Sequence, residues 1–125
     1  MLAGDFNAKL RINDRNVLQD QSRNGKCMQR MLDETNMKPK SLEAAVGQWT
    51  RVKRKDTTER SVIDYILMTS KIAAATENIE IDESGAHRLK GKAETDHNTI
   101  TVELDLTYHT KVENEVFFNT KNKRK

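Results

Sequence analysis

The clearest pattern in the chain is a regular alternation of apolar and polar residues over positions 99–106. The apolar positions of this stretch are Ile100, Val102, Leu104 and Leu106. Since successive side chains of a strand point to opposite faces, the alternation predicts a half-buried β-strand. Residues 76–82 alternate in the same way, with Ile79 and Ile81 on one face, and predict a second strand.

A nearly continuous apolar run over residues 61–68 predicts the most deeply buried strand. Residues 1–5 form a short apolar stub that predicts another strand, and residues 47–50 predict a further short one. The Lys- and Arg-rich residues 51–60 between these last elements predict a loop or a hairpin.

One segment has helical rather than strand periodicity. Its apolar residues follow the i, i+3, i+4 spacing of a helical face, and they are Cys27, Met28, Met31 and Leu32. We predict a helix over residues 24–36, capped by Asn24 and ended by the Lys38-Pro39 dipeptide. The polar residues 8–24 and the glycine-containing residues 84–95 are predicted loops.

The length of 125 residues predicts one domain, here residues 1–108, followed by a basic, disordered tail over residues 109–125. Apolar residues make up 35% of the chain and charged residues 33%. Because typical domains are about 45–50% apolar, we expect a thin core, as in half of a larger sandwich. The net charge of +3 is too small to indicate a nucleic-acid partner by itself.

Cysteine usage favours a reducing environment. Cys27 is the only cysteine, so no disulfide can form within the chain, and an intracellular location is expected. The composition does not distinguish nucleus from cytoplasm. The N-terminus lacks the basic segment and apolar stretch of a secretory signal, and no apolar run approaches the roughly 20 residues that span a bilayer.

A carboxylate and a carboxamide follow the first predicted strand. Asp5 and Asn7 are two residues apart, so strand alternation would point both side chains the same way. Gly4 lets the backbone turn tightly beside a substrate. This arrangement is typical of a catalytic strand end.

Two further groups suit the same kind of site. Asp64 interrupts the most apolar strand, and a buried carboxylate is costly unless it is paired, which implies a cation, histidine or metal partner. The alternative, a carboxylate facing solvent at a strand edge, stays open. Asp96 and His97 immediately precede the alternating strand. Together these residues are the parts of a metal-assisted phosphodiester hydrolase, and oxygen ligands favour Mg²⁺ or Mn²⁺.

Basic residues lie near one of these strands. The positively charged side chains between 51 and 60 are Arg51, Lys53, Arg54, Lys55 and Arg60. Such a run is more often a solvated hairpin, and Asp56 and Glu59 partly neutralise it. The functional alternative is a track for a phosphate backbone, formed by Arg51, Lys53 and Arg54, with Trp49 packing on a base or sugar.

The stretches GDFN, IDYIL and TDHN, in that order, resemble the endonuclease/exonuclease/phosphatase superfamily, which includes deoxyribonuclease I and the abasic-site endonucleases. The chain is most similar to the endonuclease domain of non-LTR (LINE-type) retrotransposons, from about residue 2 to 106. The resemblance implies a four-layer α/β sandwich of mostly antiparallel sheet, of which this chain would supply the C-terminal half.

The resemblance also implies a role for each motif residue. Asp5 matches the aspartate that acts on the attacking water or the leaving oxygen, and Asn7 matches the asparagine that holds a phosphate oxygen. Asp64 matches the acid that orients the catalytic histidine, His97, which contacts the scissile phosphate. Asp96 matches the acidic residue that helps to hold the metal ion.

The family's N-terminal half supplies an asparagine and a glutamate for the metal, and neither is found before Gly4. The first reading is therefore a truncated Mg²⁺- or Mn²⁺-dependent nucleic-acid endonuclease, with DNA favoured over RNA as partner. The second is a catalytically inactive remnant that pairs with a missing half or with itself to cover sheet edges. The third is a basic nucleic-acid-binding module.

Overall fold

The computed structural model describes residues 1–53, 56–85, 95–105 and 107. The expected tail over 109–125, most of the predicted loop over 84–95, and Arg54 lie outside these ranges. The helices and strands of the described ranges, in chain order, are β1 Leu2–Asp5, β2 Ile12–Asn13, β3 Leu18–Gln19, α1 Arg23–Thr35, β4 Lys38–Pro39, α2 Lys40–Ala44, β5 Arg51–Val52, β6 Arg60–Ser61, β7 Asp64–Met68, α3 Ser70–Ala74, β8 Thr76–Asp82 and β9 Thr99–Leu104.

The central sheet is antiparallel and has the strand order β1–β7–β4. The middle strand β7 carries the apolar run seen in the sequence, and its last four residues are buried. Strand β1 lies at the edge of this sheet, with all four of its residues exposed. The buried strand and the N-terminal strand were therefore both predicted correctly, although β7 begins at Asp64 and residues 60–61 form the separate strand β6.

The alternating segments form a second antiparallel pair, β8–β9. In its register Ile81 lies opposite Ile100 and Ile79 opposite Val102. Ile79 and Ile81 are buried, and the apolar side chains of β9 are more shielded than the polar ones between them. The predicted faces of both strands are confirmed for the described residues, and Leu106 lies outside them.

Strand β7 separates two apolar clusters, because its alternate residues face opposite ways. Tyr65 and Leu67 pack with Met28 and Leu32 of α1 and with the loop that follows β1. On the other face, the cluster contains Ile66, Met68 and Ile79, against which the apolar side chains of β9 pack. The layers are thus helix, central sheet and the β8–β9 pair.

The hydroxyl group of Tyr65 ties the polar segment after β1 to the core. It accepts a hydrogen bond from the Leu10 amide at 3.1 Å, and the Ala8 and Val62 carbonyl oxygens lie within 2.8 Å and 2.7 Å. Burial raises the pKa of the Tyr65 hydroxyl above its ordinary value. A polar segment can pack here because these backbone groups find buried partners.

Helix α1 agrees with the predicted helix, but its ends differ. Its cap is Ser22, whose Oγ accepts the Gly25 amide at 3.0 Å, rather than Asn24. The helix ends at Thr35, and Asn36 adopts the left-handed conformation that often follows a helix. Lys38-Pro39 does not stop the helix but pairs with the end of β7 as β4.

Three other local predictions need correction. Residues 47–50 are not a strand; the strand lies next to them as β5, which pairs with β6 to form the expected hairpin over 51–60. The predicted loop over 8–24 contains the short β2–β3 pair. The helices α2 and α3 have only five residues each, too few to give a clear period.

Candidate active site

Two carboxylates lie side by side where β1 and β7 meet. Asp5 is the last residue of β1, Asp64 is the first of β7, and the two are register partners. Residues opposite each other in an antiparallel pair share a face, with Cβ atoms about 5 Å apart. The Asp64 side chain is 14% exposed and that of Asp5 is 48% exposed, so one carboxylate is mostly buried and the other faces solvent.

His97 lies between these carboxylates. Its Nδ1 atom is 2.9 Å from Asp64 Oδ2, and its Nε2 atom is 3.8 Å from Asp5 Oδ2. With Asp64 ionised, Nδ1 carries the donated proton, and Nε2 lies on the more open side of the ring. The prediction that Asp64 and His97 lie within hydrogen-bonding distance is confirmed, and Asp64 is not the solvent-facing edge residue of the alternative reading.

The surroundings of Asp64 oppose its ionisation. Burial raises the pKa of the Asp64 carboxyl, and the negative charge of Asp5 acts in the same direction. Hydrogen bonds from His97 and Thr50 partly offset this effect by stabilising the carboxylate. The carboxylate therefore depends on its two hydrogen-bonding neighbours to stay charged.

Thr50 holds the backbone at Asp64, and no pattern in the sequence predicts this role. Its fully buried Oγ1 accepts the amides of Ile63 at 3.0 Å and Asp64 at 3.2 Å. The same hydroxyl also acts to lower the pKa of the Asp64 carboxyl. Thr50 therefore fixes the backbone at Asp64 and favours the charged form of its side chain.

The segment carrying His97 is held against β5. The Val52 amide donates to the Asp96 carbonyl at 3.0 Å, and the Asn98 amide donates to the Thr50 carbonyl at 2.8 Å. The Asn98 side chain, which is buried, donates to the Trp49 carbonyl at 2.9 Å. Asn98 belongs to the TDHN motif but was assigned no role; its burial shows that it anchors the segment.

Asn7 reaches the site differently from the expectation. It lies beyond the end of β1, with a positive φ of 46°, so strand alternation does not determine its direction. The backbone amide of Asn7 donates to Asp5 Oδ1 at 2.8 Å, and this hydrogen bond closes a tight turn. Asn7 is thus adjacent to the site through this turn, and its contact with a phosphate remains a prediction.

The remaining predicted residues lie around the β5–β6 hairpin. The Asp96 carboxylate is 3.6 Å from Arg51 Nη2, and Lys53 Nζ is 3.0 Å from Glu59. Trp49 is half-buried and packs against the cluster around Tyr65. A metal role for Asp96 and substrate contacts by Trp49, Arg51 and Lys53 stay predictions, as does the role of Arg54.

The residues present fit a hydrated divalent ion. Asp5, Asp64 and His97 each offer a ligand atom, and these atoms lie within 4.8 Å of one another. Asp64 and Nδ1 of His97 bind each other, so an ion that leaves this pair intact would use Asp5. Mg²⁺ typically takes one or two carboxylates and completes its shell with water and substrate oxygens.

No family model matches the chain, and no curated protein does. The 3′ phosphatase NExo from Neisseria, solved with a product DNA hairpin, has a similar structure, with a TM-score of 0.60 and 20% sequence identity. The match covers 83% of this chain and 44% of that enzyme, so the chain spans less than half the length of its structural neighbour. The likeness shows a shared fold of the deoxyribonuclease I-like class, with mixed α/β layers and antiparallel sheets.

No helix within the described ranges is both long enough and apolar enough to cross a membrane.

Proposed function

We propose that this chain carries the aspartate–histidine part of a divalent-metal-dependent phosphodiester hydrolase that acts on nucleic acid. The observation that carries the proposal is the contact of His97 Nδ1 with Asp64 at 2.9 Å, with Asp5 on the other side of the ring. An imidazole fixed at one nitrogen and open at the other is suited to stabilising charge on a phosphate.

Each side chain has a defined part in this proposal. Asp64 holds the Nδ1 proton and so fixes both the tautomer and the direction of the His97 ring. Nε2, when protonated, donates to a non-bridging phosphate oxygen. Asp5, whose carboxylate is half exposed beside Nε2, accepts a proton from the attacking water or assists the leaving oxygen, and Asn7 holds a second phosphate oxygen.

Asp96 would hold Mg²⁺ or Mn²⁺, with Asp5 as a further candidate ligand, and the ion would neutralise charge on the reacting phosphate. The half-exposed carboxylate of Asp5 suits such an ion because it leaves room for water and substrate ligands.

A nucleic acid is the substrate class that we favour, with DNA preferred over RNA. The β5–β6 hairpin, which carries Arg51 and Lys53, leads from the site and would follow a phosphate backbone. Arg54, the next residue in the sequence, would contribute to the same track. Trp49 would pack on a base or sugar. A structural neighbour bound to a DNA hairpin supports the same class. Of the enzymes that cleave DNA, the retrotransposon-type endonuclease is our preferred type, on the sequence motifs.

A second candidate is a non-catalytic nucleic-acid-binding module. It is favoured by the length of the match, which covers only 44% of the structural neighbour. In this case the basic hairpin would bind nucleic acid without cleavage.

Plasmid cleavage tests the proposal. The chain is combined with the N-terminal half of an endonuclease domain of the endonuclease/exonuclease/phosphatase superfamily, either fused in cis or added as a second chain. The mixture is incubated with supercoiled plasmid and Mg²⁺. Nicking that is lost with a chelator and in His97→Ala supports hydrolysis by this site. His87→Ala, at a histidine outside the three motifs, is the matched control.

Two results would contradict the hydrolase. Nicking that survives His97→Ala would assign cleavage to another site. A salt-dependent gel shift without any nicking, in the complemented protein, would favour the binding module.

A further inference from the structure

The segment that bears His97 lies against residues 49–52, which comprise β5 and the two residues before it. Arg51 and His97 form an isolated antiparallel bridge, so their Cα atoms lie opposite each other. The amides of Val52 and Asn98 supply the hydrogen bonds on either side of this bridge. The position of His97 therefore depends on how firmly the segment stays on β5.

Arg51 adds a side-chain link at the same place. Its Nη2 atom is 3.6 Å from Asp96 Oδ2, and its Nη1 atom is 3.6 Å from Glu59 Oε1. Glu59 immediately precedes β6, so one guanidinium joins the far side of the hairpin to the residue before His97. The side chain is only 25% exposed, which limits screening of these pairs by water.

We propose that Arg51 is a positioning residue for His97, acting through its ion pair with Asp96. The pair holds the segment on β5, and this keeps Nδ1 within hydrogen-bonding distance of Asp64. Asp96 thus has a structural partner in this chain besides the metal role expected from the motif. The consequence for hydrolysis rests on the proposed function, whereas the link between Arg51 and His97 does not.

Amide hydrogen exchange tests the link directly. In Arg51→Met we expect exchange at the Val52 and Asn98 amides to become about two- to fivefold faster, the change that a partly exposed ion pair supports. Exchange at the Leu10 amide, which donates to Tyr65 in the core, should not change. Lys53→Met removes a positive charge from the same hairpin and a contact with Glu59, and it should leave both segment amides unaffected.

Reciprocal variants show whether the effect runs through Asp96. Asp96→Asn should accelerate the same two amides, and the two changes should be less than additive in the double variant, because both remove the Arg51–Asp96 pair. Arg51→Lys should restore part of the protection. Three results would overturn the proposal. They are additive effects on exchange in the double variant, unchanged exchange rates of the Val52 and Asn98 amides in Arg51→Met, and an equal acceleration of these amides in Lys53→Met.

A kinetic measurement separates positioning from substrate binding in the complemented protein. A positioning role predicts that Arg51→Met lowers kcat, whereas loss of the proposed phosphate contact would raise KM. A higher KM with unchanged kcat would overturn the role and make Arg51 a phosphate-binding residue. If the complemented protein has no activity, the proposed function fails, but the exchange measurements still decide the role of Arg51.

Discussion

The Asp64 carboxylate lies 2.9 Å from Nδ1 of His97, although 33 positions separate the two residues in the chain. The buried strand β7 supplies the acid, and a segment docked on β5 brings the imidazole to it. This contact explains how a carboxylate can begin the most apolar strand of the protein: its charge is compensated by the ring and by Thr50.

The raised pKa of Asp64 predicts a pH-dependent effect of Asp64→Asn on stability. Because the pKa of this carboxyl is higher in the folded state than its unfolded value of about 3.9, folding favours the protonated form. The stability that this group contributes is present below the unfolded pKa and is lost as the pH rises through the folded pKa. Asp64→Asn removes this loss. The free energy of unfolding of the variant, relative to that of wild type, should therefore be higher at pH 7 than at pH 3.

Urea unfolding at a series of pH values measures this difference. Asp56→Asn is the control with the opposite sign, because the Thr58 hydroxyl and amide lower the pKa of the Asp56 carboxyl. Folding favours the charged form of Asp56. The free energy of unfolding of Asp56→Asn, relative to that of wild type, should therefore be lower at pH 7 than at pH 3. The same pH trend in both variants would show that the burial of Asp64 does not control the effect.

The sequence predicted the proposed catalytic residues better than the residues that hold them in position. Asp5, Asp64 and His97 stand out because charged or ionisable residues at strand ends interrupt apolar patterns. Thr50 does not, since a threonine beside an apolar strand has no distinctive pattern until the chain folds. Helix ends depend on single hydrogen bonds, such as that of Ser22 to Gly25, so the neighbouring Asn24 was an equally reasonable cap on sequence alone.

Removal of the Tyr65 hydroxyl should destabilise the fold. In Tyr65→Phe the Leu10 amide loses its acceptor in a buried environment, and a buried unsatisfied donor costs about 1–3 kcal/mol. Equilibrium urea unfolding at pH 7 measures the loss. Thr35→Val removes an exposed hydroxyl that donates to the Met31 carbonyl and should change stability by less than about 0.5 kcal/mol. Equal effects of the two variants would argue against a central role for the Tyr65 hydroxyl.

Gly25 should not tolerate a side chain. A Cβ atom added there would overlap the backbone carbonyl of Lys9, so α1 would have to move away from the segment that follows β1. We expect Gly25→Ala to cost about 3 kcal/mol, at the upper end for overpacking, in the same unfolding assay. Lys26→Ala, at the next and exposed helical position, is the control. A stable Gly25→Ala protein with unchanged cooperativity would show that this close approach is easily relieved.

The isolated chain should show little or no Mg²⁺-dependent cleavage, even though the proposed phosphate-activating groups are assembled. The reason is the supply of metal ligands among the described residues. Asp64 is bound to His97, and Asp96 is paired with Arg51. Asp5 is the most exposed of these three carboxylates. A single carboxylate would hold Mg²⁺ weakly in competition with water, and the resemblance assigns a further glutamate ligand to the upstream half.

The open position of Asp5 weakens the site further, because solvent screens electrostatic stabilisation of the reacting phosphate. A correctly placed metal ion contributes several kcal/mol, and each ~1.4 kcal/mol corresponds to a tenfold change in rate. We therefore expect nicking of supercoiled plasmid by residues 1–125 to be at least about a thousandfold slower than by the complemented domain. Efficient nicking by the pure chain, abolished by His97→Ala and by chelator, would instead show that the site is self-sufficient.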